Sequence, residues 1–316
     1  MTPDLLDTWP AWQQVWARVA NAPLEAQIDA WATDYMALYP TLFAKQVADY
    51  ASAGVDWRAV ARERVFPHLA ARTPRMIAAH QAILRCHRDL TWCFRERLGA
   101  DFTFLFVVYV GLECGAGWAT MYEGLPACLL GLEAIANLGW ESEDHIRGLI
   151  AHELGHLAHM VWRERAGVST LEESEAEPLF RLYSEAWASR AEQVIRGQDT
   201  QHLEDQAGEW LAWCRTHESW LAGEYLRRVD AGADVRDFFG SWFAIAGHSQ
   251  TGYYLGHQVV QMLERQVPTL RALAVWPAEL VRQRVRAILQ EMANPNYSAA
   301  TISSGEGGHP RTTISP

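Results

Sequence analysis

Apolar residues in the first hundred positions recur at intervals of three and four, the period of an amphipathic helix. Pro10, Pro23, Pro40 and Pro74 stand where such helices start or break. This stretch therefore reads as helical throughout. Its strongest segment runs from about Thr73 to Leu98, with Met76, His80, Ile83, His87, Leu90 and Phe94 on one stripe. The pattern changes at Asp101. Phe102–Val110 is β-branched and aromatic and predicts a buried strand. Two shorter runs, Trp118–Tyr122 and Pro126–Leu132, follow, with Glu123-Gly124 as a turn between them. From Ser142 to about Met292 the helical period returns. Residues 294–316, rich in Ser, Thr, Gly and Pro, read as a disordered tail. The expected class is α+β, predominantly helical, with one small sheet. The expected organisation is an N-terminal helical region (1–100), a main domain (101–293) and the tail.

Composition narrows the function classes. The 316 residues include 49% hydrophobic and 21% charged positions, an ordinary globular balance. The net charge is −11, and no Lys/Arg block is present, which argues against nucleic acid or an anionic membrane as partner. Residues 101–200 carry 16 acids and 6 bases, so nearly all of the excess lies in the middle third. The N-terminus lacks the pattern of a secretory signal, and the longest apolar run, Phe102–Leu112, is too short to span a bilayer. Five cysteines without a CxxC suit free thiols, and the expected compartment is the cytoplasm.

One motif carries chemistry. His152-Glu153-Leu154-Gly155-His156 is an HExxH, expected only about 0.03 times by chance at this His and Glu content. On a helix, positions i and i+4 share a face, so two imidazoles can hold one Zn²⁺. Glu153, one residue on, can act on water activated by the ion without being a ligand. Leu149, Ile150, Leu154 and Leu157 give the helix a buried setting. Ser142 is its expected N-cap, and Gly167 its C-terminal stop. His80 and His87, about 10 Å apart along a helix, are too far from each other for one ion.

A catalytic zinc needs a third protein ligand. A histidine six residues beyond the motif is absent, because position 162 is Trp; His159, seven beyond His152, suits packing or support of the site. The nearby carboxylates are Glu172, Glu173, Glu175, Glu177 and Glu185. Ser174-Glu-Ala-Glu177, followed by Pro178, reads as a capping box, which accounts for Glu175 and Glu177 as first-turn acids. Glu185 lies on or beside the apolar face of the next helix. There it requires a partner, either the metal or an arginine such as Arg181 or Arg190.

HExxH followed by Glu185-Ala-Trp-Ala188 resembles the gluzincin arrangement. With the later Gly252-Tyr253-Tyr254-Leu255-Gly256, the order resembles a family of predicted zinc-dependent proteases that carry HExxH, an EGxA-type segment and GYxxG. The resemblance spans roughly residues 101–265. Ala186 departs from the family's Gly. Ser189 stands where many gluzincins place an Asp that braces a ligand. The resemblance implies a zincin-like fold and a zinc metallopeptidase with one Zn²⁺ on His152, His156 and Glu185. It further implies Glu153 as general base and Tyr253 as oxyanion donor, with Tyr254, His248 and His257 as alternatives in the same stretch. A peptide or protein substrate would lie along an edge strand between Gly115 and Leu132. Two alternatives remain open at this level. One is a zincin-like binding or regulatory module with little turnover; the other is a non-peptide hydrolase using the same site.

Overall fold

A computed structural model describes residues 4–198, 209–239 and 243–294. The tail expected from residue 294 onward falls almost wholly outside the described residues. The chain is mostly helical around a four-stranded mixed sheet. The sheet comprises β1 (Asp4–Asp7), β2 (Leu105–Tyr109), β3 (Gly117–Tyr122) and β4 (Leu125–Gly131), in the order β1-β2-β4-β3. β1 and β4 run parallel to β2, whereas β3 pairs antiparallel with β4. The hairpin turns at Glu123 and Gly124, both with positive φ (48° and 82°), the geometry that a two-residue turn with a right-handed twist requires.

The strand at the N-terminus corrects the expectation of helix throughout residues 1–100. Asp-Leu-Leu-Asp is too short to carry a periodicity of its own. It becomes a strand because the open edge of β2 offers unpaired backbone groups. The residues that follow pack onto the same strand. Trp31 Nε1 donates to Val110 O, and Val110 N donates to the Tyr35 hydroxyl, at 3.0 Å each. One continuous apolar core runs from Trp9 to Met292.

The long helix Phe66–Leu98 begins seven residues before the expected Thr73 and carries Pro74 in its interior. Phe66 and Leu69 are buried, with Phe66 edge-on to Trp31. This burial outweighs the hydrogen bond that Pro74 cannot make. β2 begins at Leu105 rather than Phe102, since Phe102 and Phe104 turn into an aromatic cluster with Phe94. His80 and His87 serve separate structural contacts, His80 with Asp7 and His87 with the Ile83 carbonyl. No described helix is long and apolar enough to cross a membrane.

Three helices build the centre. The HExxH helix, Glu143–Ala166, is capped by the Ser142 side chain and ends on Gly167 in the left-handed region (φ 66°). It packs on β3, β4 and the helix Pro178–Arg196, which in turn packs on Thr251–Glu264. Two glycines let these helices approach closely. A Cβ on Gly155, inside the HExxH, would lie 2.9 Å from Ala188 O and 3.0 Å from Ala191 Cβ. A Cβ on Gly256 would lie 2.7 Å from both Leu182 O and Ala186 Cβ. The second contact is with a backbone carbonyl of a buried helix, which cannot turn aside. Gly256→Ala is therefore expected to destabilise the fold by about 3 kcal/mol. Urea unfolding checks this, and a change below about 0.5 kcal/mol would contradict the close-packed reading.

Candidate metal centre

The HExxH helix and the Pro178–Arg196 helix bring three donors together. His156 Nε2 lies 3.2 Å from His152 Nε2. Glu185 Oε2 lies 3.5 Å from His152 Nε2 and 3.4 Å from His156 Nε2. These three residues form a group that could hold a metal ion. The spacing fits: a tetrahedral ion with N and O ligands at 2.0–2.1 Å holds its donors about 3.3 Å apart. Neither arginine alternative for Glu185 holds: Arg190 makes a bidentate contact with Glu264, and Arg181 makes no ion pair with Glu185, whose ion-pair contacts are with His152 and His156. Glu185 is joined to its own helix through Ser189, whose hydroxyl donates to the Glu185 carbonyl at 3.0 Å.

The electrostatics match a site built for a cation. Burial works against charge on both His156 and Glu185, yet their mutual attraction prevails. His156 is pushed up to about 9 by the Glu185 carboxylate, and the two imidazoles hold Glu185 well below the usual carboxylate range.

Glu153 is buried beside the triad and abuts β3, where a Cβ on Gly117 would lie 2.5 Å from Glu153 Cγ. Tyr253 completes the wall from the Thr251–Glu264 helix, its ring centroid 6.2 Å from that of His152. Burial first, then the Glu185 and Glu153 carboxylates, keep its phenol protonated far above neutral pH. The other three candidates in that stretch lie elsewhere. The Tyr254 hydroxyl donates to Glu218, His248 stacks on Trp213 at 3.9 Å, and His257 pairs with Gln261.

Two corrections concern the segment between the histidines and Glu185. The capping box is Thr170–Glu173, which opens a short helix at Leu171. Pro178–Arg196 is capped by Glu177 alone, which accepts from Phe180 N at 2.9 Å. The expected box failed because Ser174 spends its hydroxyl on Thr170 O. Glu175, left over from that box, reaches the metal cleft. Sequence spacing offers no signal for this, since it follows from the packing of the short Leu171–Glu175 helix against the HExxH helix. His159 is packing: it is buried among Phe180, Tyr183 and Trp187.

Two chambers meet at the metal group, whose three residues all line the smaller one. One, of about 330 Å³, is lined by Trp118, Ala119, Leu171, Glu175 and the triad. The other, of about 780 Å³, includes Asp49, Tyr50 and Arg64 as well as Glu113, Trp140 and Phe243. Gly117, His152, Glu153 and Tyr253 line both. Residues of the N-terminal region thus form part of the cleft wall. Of the many acids between residues 101 and 200, four face these chambers: Glu113, Glu153, Glu175 and Glu185. Glu113 is already matched by Arg72. Glu172 and Glu173 are exposed outside the cleft.

The loop that carries Glu113 is held from beneath by Glu133, whose Oε1 accepts from Glu113 N at 2.9 Å. Burial pushes Glu133 up to about 7, against the pull of backbone N–H donors at Gly111 and Glu113. Its folded-state value lies above the unfolded one, so the stability it contributes is present at low pH and is lost as pH rises toward 7. Glu133→Gln is expected to be more stable than the parent by about 3 kcal/mol at pH 8 and near parity at pH 4.5. Urea titrations across that range check it, and a pH-independent difference would refute it.

The chain matches no protein-family model, no curated protein and no solved structure.

Proposed function

We propose that this protein is a zinc-dependent peptidase of gluzincin type. The observation that carries the reading is the meeting of His152, His156 and Glu185 at tetrahedral spacing, with Glu153 and Tyr253 on the same cleft. His152, His156 and Glu185 would hold the ion. Zn²⁺ supplies Lewis-acid polarisation of a carbonyl and acidifies water to a pKa of about 7.

The chain's own residues do the rest. Glu153 takes a proton from the attacking water as its oxygen bonds to the scissile carbonyl carbon. It then returns that proton to the amide nitrogen as the C–N bond breaks, and the second proton of the water passes from the new carboxyl group to the amine, leaving a carboxylate and an ammonium. The Tyr253 phenol, kept protonated by its surroundings, donates a hydrogen bond to the oxygen that becomes negative. β3 is the sheet's edge on the cleft side and β4 is interior, so the substrate backbone is assigned to β3.

The test is direct. Zinc-loaded protein is expected to cleave members of a fluorogenic peptide library and to lose that activity with a chelator. Re-addition of Zn²⁺ should restore it. Stoichiometric zinc without cleavage of any peptide or of casein would favour a binding or regulatory role instead.

A further inference from the structure

The smaller chamber contains a carboxylate that the hydrolytic mechanism does not use. Glu175 is half-buried there together with the triad and does not line the larger chamber. One of its oxygens accepts a hydrogen bond from Ser184 Oγ, and Ser184 is fully buried. Among the described residues no arginine or lysine makes an ion pair with Glu175. Every other carboxylate facing the cleft from the middle third already has a task. Glu185 is a candidate ligand, Glu153 is the proposed base, and Glu113 is paired with Arg72. His156 and Arg181 act on Glu175 only from beyond ion-pair distance, so a half-buried carboxylate held in place by a hydrogen bond keeps a position open for a further cation.

The two chambers differ in a way that says which cation. The Glu175 chamber has less than half the volume of the other, and beside the metal group, Glu153 and Tyr253 it offers Trp118, Ala119 and Leu171 as a short apolar wall for one side chain. Backbone groups of β3 run along it from Gly117 to Ala119. A peptide lying on β3 with one residue in this chamber brings its terminal α-ammonium, charged at neutral pH, to Glu175. The remaining residues extend past the triad into the larger chamber, which has the room for them.

We propose that Glu175 binds the free α-ammonium of the substrate, so that the protein removes single residues from peptide N-termini. This deepens, and rests on, the metallopeptidase reading. Glu175 is here a substrate-binding residue and takes no part in proton transfer.

The experiment uses the zinc-loaded full chain and three matched peptides. One has a free N-terminus, one is N-acetylated, and one is N-acetylated with an internal lysine; products are identified by mass spectrometry. The expected result is release of the first residue from the free peptide. Acetylation should lower kcat/KM by about 100-fold or more. Glu175→Gln should lower kcat/KM for the free peptide by a similar factor, chiefly through KM, with zinc content unchanged. Glu175→Asp, which keeps the charge, should recover part of the loss. Equal cleavage of free and acetylated peptides overturns the proposal, as does cleavage directed to the internal lysine. So does a Glu175→Gln protein with zinc bound and kcat/KM intact. The acetylation arm uses the unmodified protein, so it decides the matter even where a variant does not fold. Failure to cut any of the three peptides, or any library member, would instead sink the metallopeptidase reading.

Discussion

Glu153→Gln is expected to lower kcat for peptide hydrolysis by about 10³-fold or more while leaving zinc bound. Glu153 is not one of the three donors that meet, and its neighbour across the cleft is Gly117 of β3. A glutamine fills the same space and can still hydrogen-bond water, but it cannot accept the proton. General-base catalysis contributes about 10²–10⁴-fold. In the proposed mechanism the same group also delivers the proton to the leaving amine, which puts the expected loss at the upper end. Tyr253→Phe belongs to the same series, with a smaller drop of about 10²-fold in kcat, because only one oxyanion donor is removed. Metal analysis beside steady-state kinetics checks both. Full activity of Glu153→Gln with zinc present would show that another group moves the proton.

The second large effect concerns Glu185. Glu185→Gln is expected to weaken zinc binding by more than about 100-fold, and activity should follow the loss of metal. Its carboxylate is the only anionic donor of the group, and it alone comes from a different helix. Without it, two neutral imidazoles 3.2 Å apart remain, and no third protein ligand is within reach among the described residues. Replacing a supporting residue at a metal site already costs 10–100-fold in affinity, and removing a ligand costs more. Competition with a chromogenic chelator measures the effect. Unchanged affinity would mean that the ion, if bound, uses other donors.

These two variants probe parts of the site that were legible to different degrees. The histidines and Glu153 could be read directly, because i and i+4 spacing within a helix fixes relative position without reference to the rest of the chain. The caps were nearly as clear. Ser142 and Gly167 bound the HExxH helix as expected, since capping is a local hydrogen-bonding problem. Glu185 was singled out among five carboxylates by its burial face, with Arg181 or Arg190 as the alternative partner in sequence terms. Only the packing of Gly155 against Ala188 placed it opposite the histidines and left Arg190 to Glu264. The choice of Tyr253 over Tyr254 turned on which face of one helix looks toward the cleft, and adjacent residues differ there by about 100°.

What could not be read has a common cause. β1 has no periodicity of its own, and it exists because β2 leaves an edge open. The contribution of Asp49, Tyr50 and Arg64 to the cleft depends on how residues 1–100 fold back over the sheet. Glu175 reads as an ordinary first-turn acid until the short helix at Leu171 turns it inward. Nearly all of the acidic excess lies in the middle third, yet only four of its acidic side chains face the cleft and one of them is paired with an arginine.

By itself, then, the sequence determined the helical character of the chain, its small sheet and hairpin, and the pair of histidines with their neighbouring glutamate. Each of these depends on groups within a few residues of one another. The sequence favoured Glu185 and Tyr253, but only the tertiary structure shows Glu185 meeting the histidines, Tyr253 beside His152, and which acids line the cleft. Those outcomes depend on contacts between helices that are distant in sequence, made possible where a glycine lets one backbone approach another.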